Sequence, residues 1–261
     1  MSGINIETIL YALTGGFIPV IIWLIFWLRE DRARPEPLRR ISLVFLAGAL
    51  AVFAAYFLER LWCENPWLAN ACLNIGNSQD LLIIGATEKI ILIIWAGIEE
   101  LLKLFAAYLI VFNHPDFDEP VDAMIYLITA ALGFAALENA FFLFDILSQS
   151  TVSHGISFLF AGNLNLRFLG ANITHIVSSA TVGAMVGLSF CLTLKRRLFY
   201  VLIGLTTATL LHALFNLLII TSDGAQLLQT YSLFWILTIL IILLFERVKK
   251  VVCLPSPTNN V

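Results

Sequence analysis

Residues 85–112 read GATEKIILIIWAGIEELLKLFAAYLIVF, and this stretch decides the fold class. It is apolar over a length that suits a membrane-spanning helix, since about 20 residues cross a hydrocarbon core ~30 Å thick. Its middle nevertheless carries Glu99, Glu100 and Lys103. A charged side chain at mid-bilayer costs about 2.5–3.5 kcal/mol on insertion scales. The three charges are therefore expected to face the interior of a helix bundle.

The rest of the chain is equally apolar. Of its 261 residues, 60% are hydrophobic and 13% are charged, whereas soluble domains carry about 25% charged residues. The sequence therefore predicts an all-α fold, a polytopic transmembrane helix bundle of about seven spans. The predicted spans are Ile9–Leu28, Ile41–Leu58, Gly85–Phe112, Val121–Leu147, Phe168–Leu194, Leu198–Ile220 and Gln226–Phe245. The first is interpreted as a retained helix, because it lacks a clear cleavage site.

Basic residues predict the orientation of these spans. Seven spans place eleven of them on one side of the membrane: Arg29, Arg32, Arg34, Arg39, Arg40, Lys195, Arg196, Arg197, Arg247, Lys249 and Lys250. By the positive-inside rule this side is cytoplasmic, so the N-terminus lies outside and the C-terminus inside. The net charge of −3 shows no basic excess that would suggest nucleic acid as a partner.

Three regions are predicted along the chain. Residues 1–80 form an N-terminal two-helix region with an outer loop, residues 81–220 a catalytic membrane core, and residues 221–261 the last helix with a disordered cytoplasmic tail. Within the outer loop, Cys63 and Cys72 form either a disulfide or two free thiols. Cys191 and Cys253 are predicted to be reduced, because they lie near the cytoplasmic helix ends.

Four spans carry polar groups within their apolar runs. The third carries the two glutamates and Lys103, which can pair at i, i+3 and i, i+4, and the others carry Glu138 and Asn139, His175 with Ser178 and Ser179, and His212 with Asn216. Each group also has a purely structural explanation, such as an ion pair, an interhelical clamp or a packed core histidine. Two glutamates beside one lysine, however, leave one negative charge unbalanced.

The depth of these groups favours a shared site. Counted from the cytoplasmic helix ends, Glu99, Glu138, His175 and His212 lie ~20–29 Å deep at 1.5 Å per residue, beyond the midplane at ~15 Å. A carboxylate and a histidine beside a buried water can hydrolyse a carbonyl compound. The sequence has no Gly-x-Ser-x-Gly and no His-Glu-x-x-His motif. One glutamate with two histidines could still bind zinc.

The ordered motifs resemble the PrsW family of intramembrane proteases, which is distantly similar to the CAAX prenyl protease and bacteriocin-processing group. The resemblance covers about residues 85–220, in the order Glu-Glu-x-x-Lys from Glu99, Gly-Phe-Ala-x-x-Glu-Asn from Gly133, a helix histidine after an arginine, and His-x-x-x-Asn from His212. It implies a protease of the bacterial inner membrane that cleaves a membrane-anchored protein, such as an anti-sigma factor, near the outer face. Ala123 and Phe142 depart from the family pattern, which usually has glycine and tyrosine there.

Site roles follow from the residue chemistry and the resemblance together. Glu99 or Glu100 is predicted to activate water, His175 and His212 to position it or stabilise the oxyanion, with support from Lys103, Glu138, Asn139, Ser179 and Asn216. No cofactor is predicted; a zinc ion bound by Glu138, His175 and His212 is the alternative. A proton- or ion-coupled transporter and a non-catalytic membrane scaffold are also compatible with the sequence. Besides the substrate, the lipid bilayer is the expected partner.

Overall fold

The computed structural model describes residues 6–32, 34–77, 85–149, 163–221 and 224–253. Eight α-helices and no strand occur in these ranges. The helices are α1 Ile6–Glu30, α2 Leu38–Cys63, α3 Ala69–Asn77, α4 Ala86–Ile110, α5 Asp122–Gln149, α6 Asn163–Leu188, α7 Leu194–Thr221 and α8 Gly224–Val248.

The all-α membrane bundle predicted from the sequence is confirmed. Six of the described helices, α1, α2, α5, α6, α7 and α8, are long and apolar enough to cross a membrane. Helix α4 has 25 residues, as many as α1. It differs from these six helices in carrying three charged side chains near its middle, Glu99, Glu100 and Lys103, all of which are buried. With α4 counted, the long helices match the seven predicted spans.

The long helices alternate in direction, so their predicted cytoplasmic ends meet at one end of the bundle. There the Nε atom of Arg40 lies 2.9 Å from Oδ2 of Asp116, and Arg34 pairs with Glu119. We call this the basic end, because the eleven basic residues of the predicted cytoplasmic side lie in or beside the helix termini that form it. Lys89 lies at the opposite end, at the start of α4.

Helix α5 lies at the centre of the bundle. Every residue from Val121 to Ala136 is buried, and α1, α2 and α6 pack against this helix. Gly48 of α2 and Gly133 of α5 permit one of these close contacts, because a Cβ at either position would lie about 2 Å from a backbone oxygen of the other helix. The burial of α5 explains why its sequence is apolar on all sides.

Several details differ from the sequence prediction. Helix α3 lies within what was predicted as an outer loop. Helix α6 ends at Leu188 rather than at Leu194, where the Ser189 hydroxyl donates to the carbonyl oxygens of Met185 and Val186 and a turn begins. The predicted disordered tail, Leu254–Val261, lies outside the described residues.

Both cysteine pairs are disulfides in the structure. Cys63 at the end of α2 is bonded to Cys72 of α3, which is one of the two states that the sequence allows. Cys191 is bonded to Cys253, so the prediction of two free thiols is wrong for this structure. The pairing arises because α6 and α8 pack together, which brings the residues that follow both helices to one place.

Candidate active site

The charged motif of α4 faces the bundle interior. Glu99, Glu100 and Lys103 are buried, as are Ala96 and Ala107 on the same side, whereas Leu101 and Leu109 are exposed. Helices α5, α6 and α7 present Glu138, His175 and His212 to this motif. The four spans predicted to carry polar groups thus bring them together in one cluster.

Glu100 is held by three neighbouring side chains. Its Oε1 atom accepts hydrogen bonds from Nζ of Lys103 and Nδ1 of His212, both at 2.8 Å. Its Oε2 atom accepts a hydrogen bond from the Ser179 hydroxyl at 2.8 Å. The side chain has no exposed surface. Glu100 therefore links α4 to α6 and α7 and is poorly placed to take up a proton from water.

His175 lies between a cation and a carboxylate. Its Nδ1 atom is 2.7 Å from Nζ of Lys103, and its Nε2 atom is 2.7 Å from Oε2 of Glu138. An ammonium group only donates, so Nδ1 accepts and Nε2 carries the proton that it donates to Glu138. The side chain of Glu138 is 41% exposed, more than Glu99, Glu100 or Lys103 in the same cluster.

Glu99 and the two histidines form a compact group within the cluster. His212 donates through Nδ1 to Glu100, so its Nε2 atom, 3.7 Å from Oε2 of Glu99, carries a free lone pair. The two imidazole rings meet edge to face, with centroids 5.0 Å apart. One ligand atom from each of Glu99, His175 and His212 can be chosen so that all three lie within 4.8 Å of one another.

The model of the PrsW family of intramembrane metalloproteases matches residues 36–244, which is more than half of the chain. The chain belongs to this family. It is similar to the proteins named Protease PrsW of Geobacillus kaustophilus (26% identical, covering 81% of this chain and 80% of the relative) and of Halalkalibacterium halodurans (22% identical, covering 92% and 94%). No solved structure matches the chain significantly. Like the family, the chain is an intramembrane protease and a multi-pass membrane protein, located in bacteria in the inner membrane.

Membership of a metalloprotease family implies a bound metal ion. The side chains of Glu99, His175 and His212 are suited to bind one. A carboxylate and two histidines are a common ligand set of catalytic zinc. Each histidine also has a carboxylate on its other nitrogen, Glu100 for His212 and Glu138 for His175, as is usual for metal-binding histidines. With all groups ionised, Glu99, Glu100, Glu138 and Lys103 carry a net charge of −2, which a divalent cation would balance.

The zinc site predicted from the sequence used Glu138, His175 and His212 as ligands. The group found in the structure contains Glu99 in place of Glu138. In the structure Glu138 hydrogen-bonds to His175 instead. Lys103 occupies the place that a metal ion would take. Its Nζ atom lies 2.7 Å from Nδ1 of His175 and 3.3 Å from Oε2 of Glu99. A metal that used Nδ1 of His175 would first have to displace this ammonium group.

Two of the predicted supporting residues lie apart from this cluster. Asn139 is buried and donates to the Oδ1 atom of Asn172 at 3.0 Å, a contact that links α5 to α6. Asn216 is half-buried one turn beyond His212 and forms no hydrogen bond with the described residues of the cluster. The structure does not describe the side chain of Arg167, the arginine that precedes His175 in the family motif. It does not describe His154 either.

Glu59 of α2 is a further carboxylate near the cluster and was not among the site residues predicted from the sequence. Its carboxylate lies close enough to Glu99 and Glu138 for their charges to interact. Glu59 follows the buried residues Val52 and Ala55 on the inner face of α2. That helical spacing was the available signal, but Glu59 is near the end of its predicted span, where a glutamate is expected to reach water.

Proposed function

We propose that this member of the PrsW family hydrolyses a peptide bond of a membrane-anchored protein at the Glu99–His175–His212 group. The observation that carries the proposal is the meeting of these three side chains inside the bundle. Charged and polar residues inside a membrane protein are costly and usually mark its functional site. The helices hold them in place through the hydrogen bonds of Glu100 and Glu138.

Glu99, His175 and His212 would bind a divalent metal, for which zinc is the first candidate. When bound, such a metal polarises the scissile carbonyl group and makes a bound water more acidic. Glu138 would take up the proton of the attacking water, because its carboxylate is the most exposed of the cluster. Lys103, displaced from His175, would stay with Glu100 and counter its charge.

A metal-free mechanism is the second candidate. Here Glu99, one of the two glutamates predicted from the sequence for this role, activates water directly. His212 positions that water, because the free lone pair of its Nε2 atom can accept a hydrogen bond from it. The position of Lys103 favours this version, since its ammonium already occupies the space between His175 and Glu99. Glu100 cannot serve equally well, because both of its oxygen atoms already accept hydrogen bonds.

The substrate we propose is a membrane-anchored protein such as an anti-sigma factor, cut in the outer half of the bilayer. The position of the site supports this depth. Glu99 lies 11 residues from the basic end of α4, and His212 lies 18 residues from the basic end of α7, or ~17 Å and ~27 Å at 1.5 Å per residue. Both values exceed half of a ~30 Å core.

Purified protein in lipid nanodiscs, incubated with a membrane-anchored reporter, tests the function. We expect the wild type to cleave the reporter and the Glu99→Gln variant not to cleave it, although both proteins are folded. Metal analysis of the same samples separates the two mechanisms. A folded wild type that cleaves no candidate reporter, yet carries a proton current abolished by Glu99→Gln, would favour the transporter. Neither cleavage nor current, with reporter binding retained, would favour the scaffold.

A further inference from the structure

A cavity opens beside the candidate active site, at the end of the bundle opposite the basic end. It measures about 410 Å³, a size typical of ligand pockets. The residues that line it come from α2, α3 and α4: Tyr56, Glu59, Arg60, Cys63, Ala69, Cys72, Leu73 and Trp95. We call it the α2–α4 cavity.

The cavity is adjacent to the catalytic cluster through two residues. Trp95 lies one helical turn before Glu99 on α4, so the two share a face of that helix. Glu59 lies near enough to Glu99 and Glu138 to feel their charges. A peptide whose scissile bond reaches Glu99 would therefore place a neighbouring side chain in this cavity.

The helices around the cavity are held in place. The Cys63–Cys72 disulfide joins α3 to the end of α2. On the other side, the Nδ2 atom of Asn74 on α3 donates to Oε1 of Glu88 on α4 at 3.2 Å. These two links fix α3 across the outer end of α2 and α4, so the cavity is part of the folded structure.

Two polar groups of the cavity have no partner among the described residues. Trp95 has a buried Nε1 atom that makes no hydrogen bond. Glu59 makes neither a hydrogen bond nor an ion pair with a described residue; Arg60, the nearby cation of the lining, instead pairs with Glu64 at 3.4 Å. A buried donor and a carboxylate left unpaired indicate that a ligand completes them.

We propose that the α2–α4 cavity binds a lysine or arginine side chain of the substrate, held by Glu59 between the rings of Tyr56 and Trp95. A carboxylate balances the positive charge, and aromatic faces attract cations. The Nε1 atom of Trp95 donates to a carbonyl oxygen of the same substrate segment. This inference rests on the proposed peptidase function and adds a substrate preference to it.

Three versions of one membrane-anchored reporter test the preference. The cleavage site of the reporter is first located by mass spectrometry. Each residue near that site is then replaced in turn by Lys, Gln or Glu. We expect the wild type to cleave the best Lys reporter at least about tenfold faster than the matching Gln reporter, since a hydrogen bond to a charged group is among the stronger ones. Glu59→Gln should remove most of this ratio, and Glu59→Lys should reverse it in favour of Glu.

Matched variants control this experiment. Glu246→Gln changes an exposed glutamate at the opposite end of the bundle, outside the cavity lining, and should keep the wild-type ratio. Tyr56→Leu alters a largely exposed ring that the fold does not require and should lower the ratio severalfold, which tests the cavity even if the Glu59 variants fail to fold. Equal Lys-to-Gln ratios in wild type, Glu59→Gln and Tyr56→Leu would overturn the inference.

A binding measurement separates the inference from the proposed function. Labelled Lys and Gln reporters are titrated against Glu99→Gln, with and without Glu59→Gln. If the wild type cleaves nothing, the proposed function fails, while tighter binding of the Lys reporter that depends on Glu59 still supports the cavity. Cleavage with no Lys preference in rate or binding would overturn the cavity and leave the peptidase standing.

Discussion

The ammonium group of Lys103 lies 2.8 Å from Oε1 of Glu100, and neither side chain has any exposed surface. The two residues are three apart on α4, so the helix by itself places their side chains within reach of each other. Glu100 then links the pair to His212 and Ser179 on two other helices. The pair therefore connects the sequence motif to the tertiary structure of the site.

Replacing Glu100 should destabilise the protein. Glu100→Gln leaves Lys103 with Glu99, at 3.3 Å, as its only carboxylate partner among the described residues, and breaking one side of a buried ion pair typically costs about 3–5 kcal/mol. We expect a clearly lower midpoint of thermal unfolding in detergent. Glu246→Gln, which breaks an exposed i, i+3 pair with Lys249, should change the midpoint little. Unchanged stability with complete loss of cleavage would instead identify Glu100 as the base.

Metal removal should abolish cleavage. We expect about one zinc ion per chain by elemental analysis, loss of activity with a strong chelator and recovery with added zinc. Glu99→Gln and His212→Ala should lower the metal content, because both remove a ligand of the proposed site. A wild type that cleaves at its full rate without metal would support the metal-free mechanism predicted from the sequence.

Glu138 should affect the rate more than the metal content. Glu138→Gln keeps the size of the side chain and removes the proposed proton acceptor, so cleavage should fall by about 10²–10⁴, as is usual for the loss of a general base. Metal content should fall less than in Glu99→Gln. Retained cleavage in this variant, measured beside an inactive Glu99→Gln, would assign the base to Glu99.

The stability of the protein should decrease as the pH rises. Burial raises the pKa of Asp31 to about 6, with further contributions from Asp122 and Glu119. Burial also raises the pKa of Glu36 to about 8, although its hydrogen bond from Tyr126 acts in the opposite direction, and Asp122 and Asp31 add to the increase. Folding therefore favours the protonated forms, so their contribution is full below pH ~4 and is lost as the pH rises through ~6 and ~8.

Thermal unfolding in detergent at several pH values measures this effect. The midpoint should fall between pH 5 and pH 9, and Glu36→Gln should flatten the upper part of the curve. Glu64→Gln, an exposed glutamate at the other end of the bundle, should reproduce the wild-type curve. A midpoint that rises over this range in the wild type would contradict the assignment.

The cysteines offer a test of the proposed orientation. If the basic end faces the cytoplasm, Cys191 and Cys253 should react only with a membrane-permeant maleimide once their disulfide has been reduced. Cys63 and Cys72 should resist labelling until they are reduced. A Cys72→Ser variant, which frees Cys63, should react with an impermeant maleimide added outside. Labelling of Cys191 by the impermeant reagent in intact cells would reverse the orientation.

Much of this architecture could be predicted, because a membrane-spanning helix requires an apolar run of about 20 residues that is visible in the sequence. Each long apolar run became a helix within a few residues of its predicted bounds, and the charges of α4 face inward as their insertion cost requires. Helix α3 was missed because its nine residues are too few and too polar to resemble a span. The Cys191–Cys253 disulfide was missed because it depends on α6 packing against α8, which no local pattern encodes.

The sequence alone determined that this chain is a membrane helix bundle, that its polar residues lie on four spans, and that the order of its motifs is that of the PrsW family. All three follow from apolar length, local spacing and residue order along the chain. The tertiary structure decided which carboxylate faces the two histidines, that both oxygen atoms of Glu100 accept hydrogen bonds, and that Glu59 of α2 lies near the site. These facts depend on how helices distant in sequence rotate and pack against one another, and single-helix periodicity contains no record of that rotation.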